Sequence, residues 1–304
     1  MGGCSCESLN AERYESLVNE ADPKNRSKIK RILQHDKYKI TPVNVGRGLT
    51  SVVAIAIDRK GKKYAAKQIK KYSKEYKDDW VKKEAEISLL MNHPNIIKTY
   101  EIYEDESSVN FIMELCEKGD LVQYLNSKQG KLDNLVIINI FIQVLDSINY
   151  MHNILNICHR DIKLENFLMA SNDEKCPKVK LIDFGFATRF IKGQKMTDQL
   201  GTLEYMSPEL LSNNGYNEKT DIWSCGVLLY VLTNGKLPFK KNANVSINDQ
   251  IIKSNINFNI IKEPNIRELC QKLMERNPNK RPGAQEALQL ARNAKNNIDN
   301  GITS

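Results

Sequence analysis

The pattern of apolar residues changes once along this chain, and that change limits the architectures open to it. From Lys37 to about Leu115 the apolar residues come in strand-length runs, at Tyr38 to Val45, Val52 to Asp58, Lys63 to Ile69, Ile96 to Tyr103 and Val109 to Leu115. One amphipathic helix interrupts them from about Lys77 to Met91, carrying Val81, Ala85, Ile87, Leu89 and Leu90 and ending before His93-Pro94-Asn95. Beyond Leu115 the pattern is helical, near Leu121 to Asn126, Asn134 to His152, Glu218 to Thr233, Asn265 to Arg276 and Gly283 to Ala294. Strands grouped first and helices after them predict an α+β chain. Its small antiparallel-sheet lobe with one main helix spans 37–115, and a larger mainly helical lobe spans 116–293. Residues 1–36 read as a polar extension that turns basic, and 294–304 as a flexible tail. The Asn, Ile and Lys bias between Lys240 and Ile266 reads as composition rather than as a further element.

Composition narrows the chemistry. With 304 residues, 41% of them hydrophobic, the chain can build a sizeable core. The net charge of +8 is spread over scattered Lys and Arg, with no basic stripe interleaved with aromatics, which argues against nucleic acid as a partner. Seven cysteines, an odd number at irregular spacing, suggest neither a disulfide framework nor a zinc site and fit a reducing cytoplasm. No apolar run approaches the roughly 18 residues of a membrane span, and the start, MGGCSCESLN, lacks a secretory core. The chain is expected not to cross a membrane.

The densest group of chemically capable residues is His159-Arg160-Asp161-Ile162-Lys163-Leu164-Glu165-Asn166, a loop after a predicted helix, followed by Leu181-Ile182-Asp183-Phe184-Gly185. A lone Asp-Phe-Gly is common; the two motifs at this separation are not. Together they resemble the protein kinase family. The resemblance implies a two-lobed protein kinase fold that uses ATP and Mg2+. It makes Asp161 the residue that orients the substrate hydroxyl, Lys163 the cation beside the moving phosphoryl group, and Asn166 and Asp183 the magnesium ligands.

Other segments match in order over about 38–293. Val45-Gly46-Arg47-Gly48-Leu49-Thr50-Ser51-Val52-Val53 resembles the glycine-rich loop over the nucleotide phosphates, with Ser51 in place of the third glycine. Read by itself, that stretch is an ordinary hairpin turn. Lys67 matches the lysine that contacts the α- and β-phosphates, and Glu84 the helix glutamate that holds it by an ion pair. Met113, Glu114 and Cys116 resemble the gatekeeper and the hinge that binds adenine, while Val53, Ala65 and Leu168 would sandwich the ring. Gly201 to Glu209 resembles the substrate-docking segment, with Thr202 and Lys163 implying serine or threonine substrates. Asp221 would tie down the catalytic loop, and Arg281 would pair with Glu209.

The nearest subfamily resemblance is to calcium/calmodulin-dependent and calcium-dependent kinases, through Met113 to Leu121, His93-Pro94-Asn95-Ile96 and Leu164-Glu165-Asn166. No EF-hand loop pattern stands in the sequence, so direct calcium binding is not expected. Arg160 before Asp161 implies an activation segment organised by an acidic group. By spacing from Glu209 that group is Asp198, standing in for a phosphate, with Thr197 as the alternative phosphosite. Ser88 and Thr99 fall where the family's regulatory column is aliphatic, which predicts a less well packed small lobe. Asp120 and Glu165 resemble acidic positions that read a basic residue upstream of the phosphorylated Ser or Thr. Val231 replaces a further glutamate found in some relatives, so a second basic residue is not required. Gly2 is a candidate myristoylation site and Cys4 and Cys6 are candidate palmitoylation sites, which with Lys24 to Arg31 would attach the protein to the cytoplasmic face of a membrane. The rival reading is a pseudokinase or scaffold that binds nucleotide or partners; intact Lys67, Glu84, Asp161, Asn166 and Asp183 argue against it.

Overall fold

The computed structural model describes residues 37–302 except 48–50, 172, 174–175 and 241–244, with the backbone only at 43–47. Gly2, Cys4, Cys6 and Gly48 lie outside the described residues. The chain divides into two units, one with residues 37–92 and 97–116, the other with 93–96 and 117–302.

The first unit is a five-stranded antiparallel sheet with one helix. Strands β1 (Tyr38–Arg47), β2 (Ser51–Asp58), β3 (Lys63–Lys70), β4 (Thr99–Glu104) and β5 (Ser108–Met113) lie in the order β1-β2-β3-β5-β4. Helix α1 (Asp78–Leu90) follows β3, with Asp78 and Asp79 in its first turn, where the helix dipole favours negative charge. Side-chain alternation splits the sheet into two apolar faces. Ile69, Ile102, Val109 and Phe111 pack with Val81 and Ala85 of α1, while Ala56, Ala66, Tyr64, Tyr103 and Ile112 form the cluster of the other face.

The predicted strand from Ile96 begins only at Thr99. Ile96 is apolar and buried, but its backbone bridges to Leu181 in the second unit, so the chain changes partner before β4 starts. Ser88 and Thr99 are both buried, and the Thr99 hydroxyl finds no hydrogen-bond partner among the described residues. A buried, unmatched hydroxyl costs about 1–3 kcal/mol. Thr99→Val is therefore expected to raise the unfolding free energy by about 1 kcal/mol in urea titrations, since valine also suits a strand. An unchanged or lower midpoint would contradict this account.

The second unit is mainly helical. It contains α2 (Leu121–Ser127), α3 (Asn134–Asn153), the strands β6 (Ile157–Cys158), β7 (Phe167–Ser171), β8 (Lys178–Leu181) and β9 (Thr188–Arg189), and then α4 (Pro208–Leu211), α5 (Lys219–Asn234), α6 (Ile247–Lys253), α7 (Pro264–Leu273) and α8 (Ala284–Asp299). β6 pairs with β9 and β7 with β8, each antiparallel. Helix α5 is apolar around nearly its whole circumference and buried accordingly. Helix α3 corrects the expectation that no apolar segment reaches spanning length: its 20 residues have the length and composition to cross a membrane. Val136, Ile140, Phe141, Val144, Leu145 and Ile148 on it are buried in the unit, as in the core helix of a protein.

Three helices depart from the sequence pattern. α6 forms inside the Asn-rich stretch, where Ser246 accepts from the Asp249 N–H at 3.1 Å and Ile251 is fully buried. The Ser246-x-x-Asp249 capping box is a readable start signal hidden by the composition. α8 runs on to Asp299, past the predicted boundary at 293. Polar anchoring extends it: Asn297 donates to the Asn265 side chain at 2.9 Å, and Asn265 donates to the Ile302 carbonyl at 2.8 Å. α7 in turn stops at Leu273 rather than Arg276, whose guanidinium leaves the helix to bond the carbonyls of Ile251 and Ser254.

Candidate active site

In the first unit, β3 and α1 place one charged pair. Lys67 Nζ donates to Glu84 Oε1 at 2.6 Å, with only 14% and 8% of the two side chains exposed. Burial of either charge without the other would be costly, so each holds its partner in position. Strand register sets what surrounds the pair. Val53 stands opposite Lys67, and Ala65, two residues before it, stands opposite Met113. Residues directly opposite share a face, so Val53, Ala65 and Met113 lie on the face that carries Lys67. Beyond β5 the Glu114 N–H donates to the Lys98 carbonyl at 2.8 Å, and Glu114 and Cys116 are half-buried. Gly46 and Arg47 end β1 opposite Val53 and Val52, and Ser51, buried, begins β2.

In the second unit, the loop between β6 and β7 gathers four side chains into a closed network around one carboxylate. Asp161 Oδ1 accepts from the Thr202 hydroxyl at 2.7 Å; Oδ2 accepts from Lys163 at 2.7 Å and from the Asn166 amide at 3.1 Å. Lys163 also donates to Thr202 Oγ1 at 2.9 Å, and Asn166 Nδ2 to the Asp161 carbonyl at 2.7 Å. The Asn166 amide nitrogen is committed to Asp161, which leaves the side-chain oxygen as its donor toward a cation. Asp183 reaches the same neighbourhood because the Ile182 N–H donates to the Asn166 carbonyl at 2.8 Å. Asp183 sits at φ +64°, a left-handed conformation rare outside glycine, and its Oδ1 accepts from the Gly185 N–H at 3.3 Å. Phe184 is buried with its ring edge-on to His159 at 5.7 Å.

The loop is held from below by α5. Asp221 Oδ1 accepts from the Arg160 N–H and Oδ2 from the His159 N–H, both at 2.8 Å, and Oδ2 also lies 2.8 Å from His152 Nε2. Burial pushes the Asp221 carboxyl upward, but these donors, His152 foremost, bring it below its ordinary value, so it stays ionised. This clamp permits Arg160 its φ of +70°. His152, Cys158 and Asp221 converge closely enough to suggest a metal centre. Both Asp221 oxygens are already taken by N–H donors, however, and burial together with the Asp221 charge keeps the Cys158 thiol well above its usual range. The cluster is a structural clamp.

The segment from Met196 to Glu209 closes over the loop. A side chain at Gly201, φ +118°, would bring its Cβ to 2.4 Å from the Arg160 carbonyl oxygen, so only glycine allows this approach. Glu209 and Arg281 form the expected bidentate pair at 2.6 and 3.0 Å. Asp198 lies 3.1 Å from Arg160 Nη1. Asp120 caps α2 by accepting from the Gln123 N–H at 2.8 Å, a role open to an Asp directly before a predicted helix, and it bridges to Leu168 of β7. Glu165 is exposed on the turn Leu164–Asn166. Sequence reasoning missed the direct bond from Thr202 to Asp161, the part of His152 in the Asp221 clamp, and Tyr216, whose hydroxyl meets Arg160 at 3.2 Å. No local motif marks these, because each joins residues far apart in the chain.

The family described as "Protein kinase domain" matches residues 40–291. The chain is 36% identical over 252 residues to an Arabidopsis thaliana protein named Serine/threonine-protein kinase PEPKR2, covering 81% of this chain and 51% of that relative. It is 34% identical over 248 residues to Calcium-dependent protein kinase 5 of Plasmodium falciparum, covering 81% and 41%. It is 33% identical over 253 residues to Calcium-dependent protein kinase 9 of Arabidopsis thaliana, covering 81% and 46%. The chain thus spans about half the length of the curated relatives it matches.

Proposed function

The chain belongs to the protein kinase family, and on that premise we propose that it transfers the γ-phosphoryl group of ATP to serine and threonine hydroxyls of protein substrates. One observation carries the reading: both oxygens of Asp161 are held by Thr202, Lys163 and Asn166, all on the loop and segment that the chemistry uses. A carboxylate so fixed accepts the hydrogen bond of an incoming hydroxyl in a set direction, and Lys163 lies beside it to offset charge on the transferring group. The Lys67–Glu84 pair supplies a cation for nucleotide phosphates. Oxygen donors of the hard type that Mg2+ prefers are provided by Asn166 and Asp183. When bound there, Mg2+ would neutralise charge developing on the phosphate oxygens.

Substrate choice follows from carboxylates near the loop. Glu165 is exposed, while Asp120 uses one oxygen as a helix cap and keeps the other for a cation. We infer that a basic residue upstream of the acceptor is favoured, chiefly through Glu165. The deciding measurement is transfer of radiolabel from ATP with Mg2+ to a serine peptide carrying one upstream arginine, compared with an acidic peptide and a proline-directed one. The arginine peptide should be labelled fastest, and Asp183→Asn should lose about 10²-fold or more. Nucleotide binding without any transfer would replace this reading with the scaffold one, and preference for the acidic peptide would remove the basic one.

A further inference from the structure

The activation segment meets the catalytic loop through Arg160, and its contacts there are unequal. The Arg160 side chain is 3% exposed, whereas Asp198, the acidic residue that pairs with it, is 68% exposed. An ion pair so open to water is weak and screened by salt. The other partners of Arg160 are better shielded: Nε donates to the carbonyl of half-buried Phe186 at 2.7 Å and Nη1 to the hydroxyl of buried Tyr216 at 3.2 Å. A phenol hydroxyl can accept and donate at once. Tyr216 uses both capacities, because its O–H also donates to the backbone carbonyl of Asp198 at 2.7 Å.

Tyr216 is tied to the segment a second time. The Met196 N–H donates to the Tyr216 carbonyl at 2.8 Å and the Tyr216 N–H to the Met196 carbonyl at 2.9 Å, a short antiparallel bridge. Gly215, φ +71°, precedes it, where a Cβ would press on the Lys195 side chain at 3.0 Å. Two residues of the segment, 196 and 198, are therefore fixed to one tyrosine, which in turn bonds the arginine beside Asp161. Burial keeps the phenol above its ordinary range, so it remains a neutral hydroxyl.

We infer that Tyr216, rather than the Asp198 carboxylate, fixes the activation segment on the catalytic loop, and that it acts as a positioning residue for Thr202 and Asp161. Asp198 contributes its backbone carbonyl more than its charge. The inference deepens the kinase reading, on which only its activity arm rests.

The test compares wild type, Tyr216→Phe and Asp198→Asn, each treated with phosphatase, by amide hydrogen exchange over residues 194–202 and by steady-state kinetics at low and high salt. Tyr216→Phe should speed exchange at Met196 by about tenfold or more and lower kcat by about tenfold or more, with KM for ATP unchanged. With the hydroxyl gone, the exposed ion pair is the side-chain link that remains between Arg160 and Asp198, so kcat should fall further as salt rises. Asp198→Asn should stay within about threefold in both measurements. A larger loss in Asp198→Asn, or a loss under about tenfold in Tyr216→Phe, overturns the proposal. Should Tyr216→Phe fail to fold, Asp198→Asn alone decides, on the same threefold limit. A wild type that transfers no phosphate would defeat the kinase reading, while the exchange measurement would still judge the positioning role.

Discussion

An Asp161→Asn protein is expected to fold like the wild type and to transfer phosphate about 10²–10⁴-fold more slowly. The substitution keeps the shape of the side chain, so Thr202, Lys163 and Asn166 still meet polar atoms at 2.7 to 3.1 Å distances in the wild-type pattern. It removes the negative charge that Lys163 faces and the basic oxygen that a substrate hydroxyl needs. An amide nitrogen at one of the two positions also turns a donor toward donors, which costs about 2 kcal/mol or less of stability. Single-turnover transfer of radiolabel, alongside circular dichroism and ATP affinity, separates the two effects. Transfer within about tenfold of wild type, in a protein that binds ATP normally, would mean that Asp161 is not the group that handles the hydroxyl.

Arg281→Met should have the largest effect on stability, a loss of about 3–5 kcal/mol in urea unfolding. The Arg281 side chain is fully buried, and Glu209, its bidentate partner, is 10% exposed. Its guanidinium also donates to the carbonyls of Glu275 and Lys219 at 2.8 and 2.9 Å and stacks 5.3 Å from the Trp223 ring. Removing it leaves the largely buried Glu209 carboxylate and the carbonyls of Glu275 and Lys219 without their donor. The same reasoning predicts partial recovery in Arg281→Met with Glu209→Leu, since an apolar pair needs no compensation. A loss under about 1 kcal/mol for Arg281→Met would show that the pair is not what holds α4 against the residues after α7.

Much of the site was legible because its chemistry is packed into short contiguous stretches. Asp161, Lys163 and Asn166 stand within one loop, and Asp183 follows one short hairpin later. Lys67 stands on a predicted strand and Glu84 on the helix after it, and a 2.6 Å bond joins them. Spacing from Glu209 sets Asp198 as the acidic group beside Arg160, and it lies there. α6 shows the opposite error: its capping box was present in the sequence, but the Asn bias around it masked a local signal.

Local pattern carried the strand-then-helix order, the reactive side chains and the charges, because alternation, helical spacing and motif chemistry depend on residues near one another in the chain. Folding alone decided which distant groups would meet. It chose where Ile96 leaves one unit for the other, how far α8 runs, that His152 joins the expected Asp221 clamp, and that Tyr216 joins Arg160 to Met196 and Asp198. The reason is that a buried polar group must find a partner wherever packing brings one, and packing is set by the whole core rather than by any neighbour in sequence.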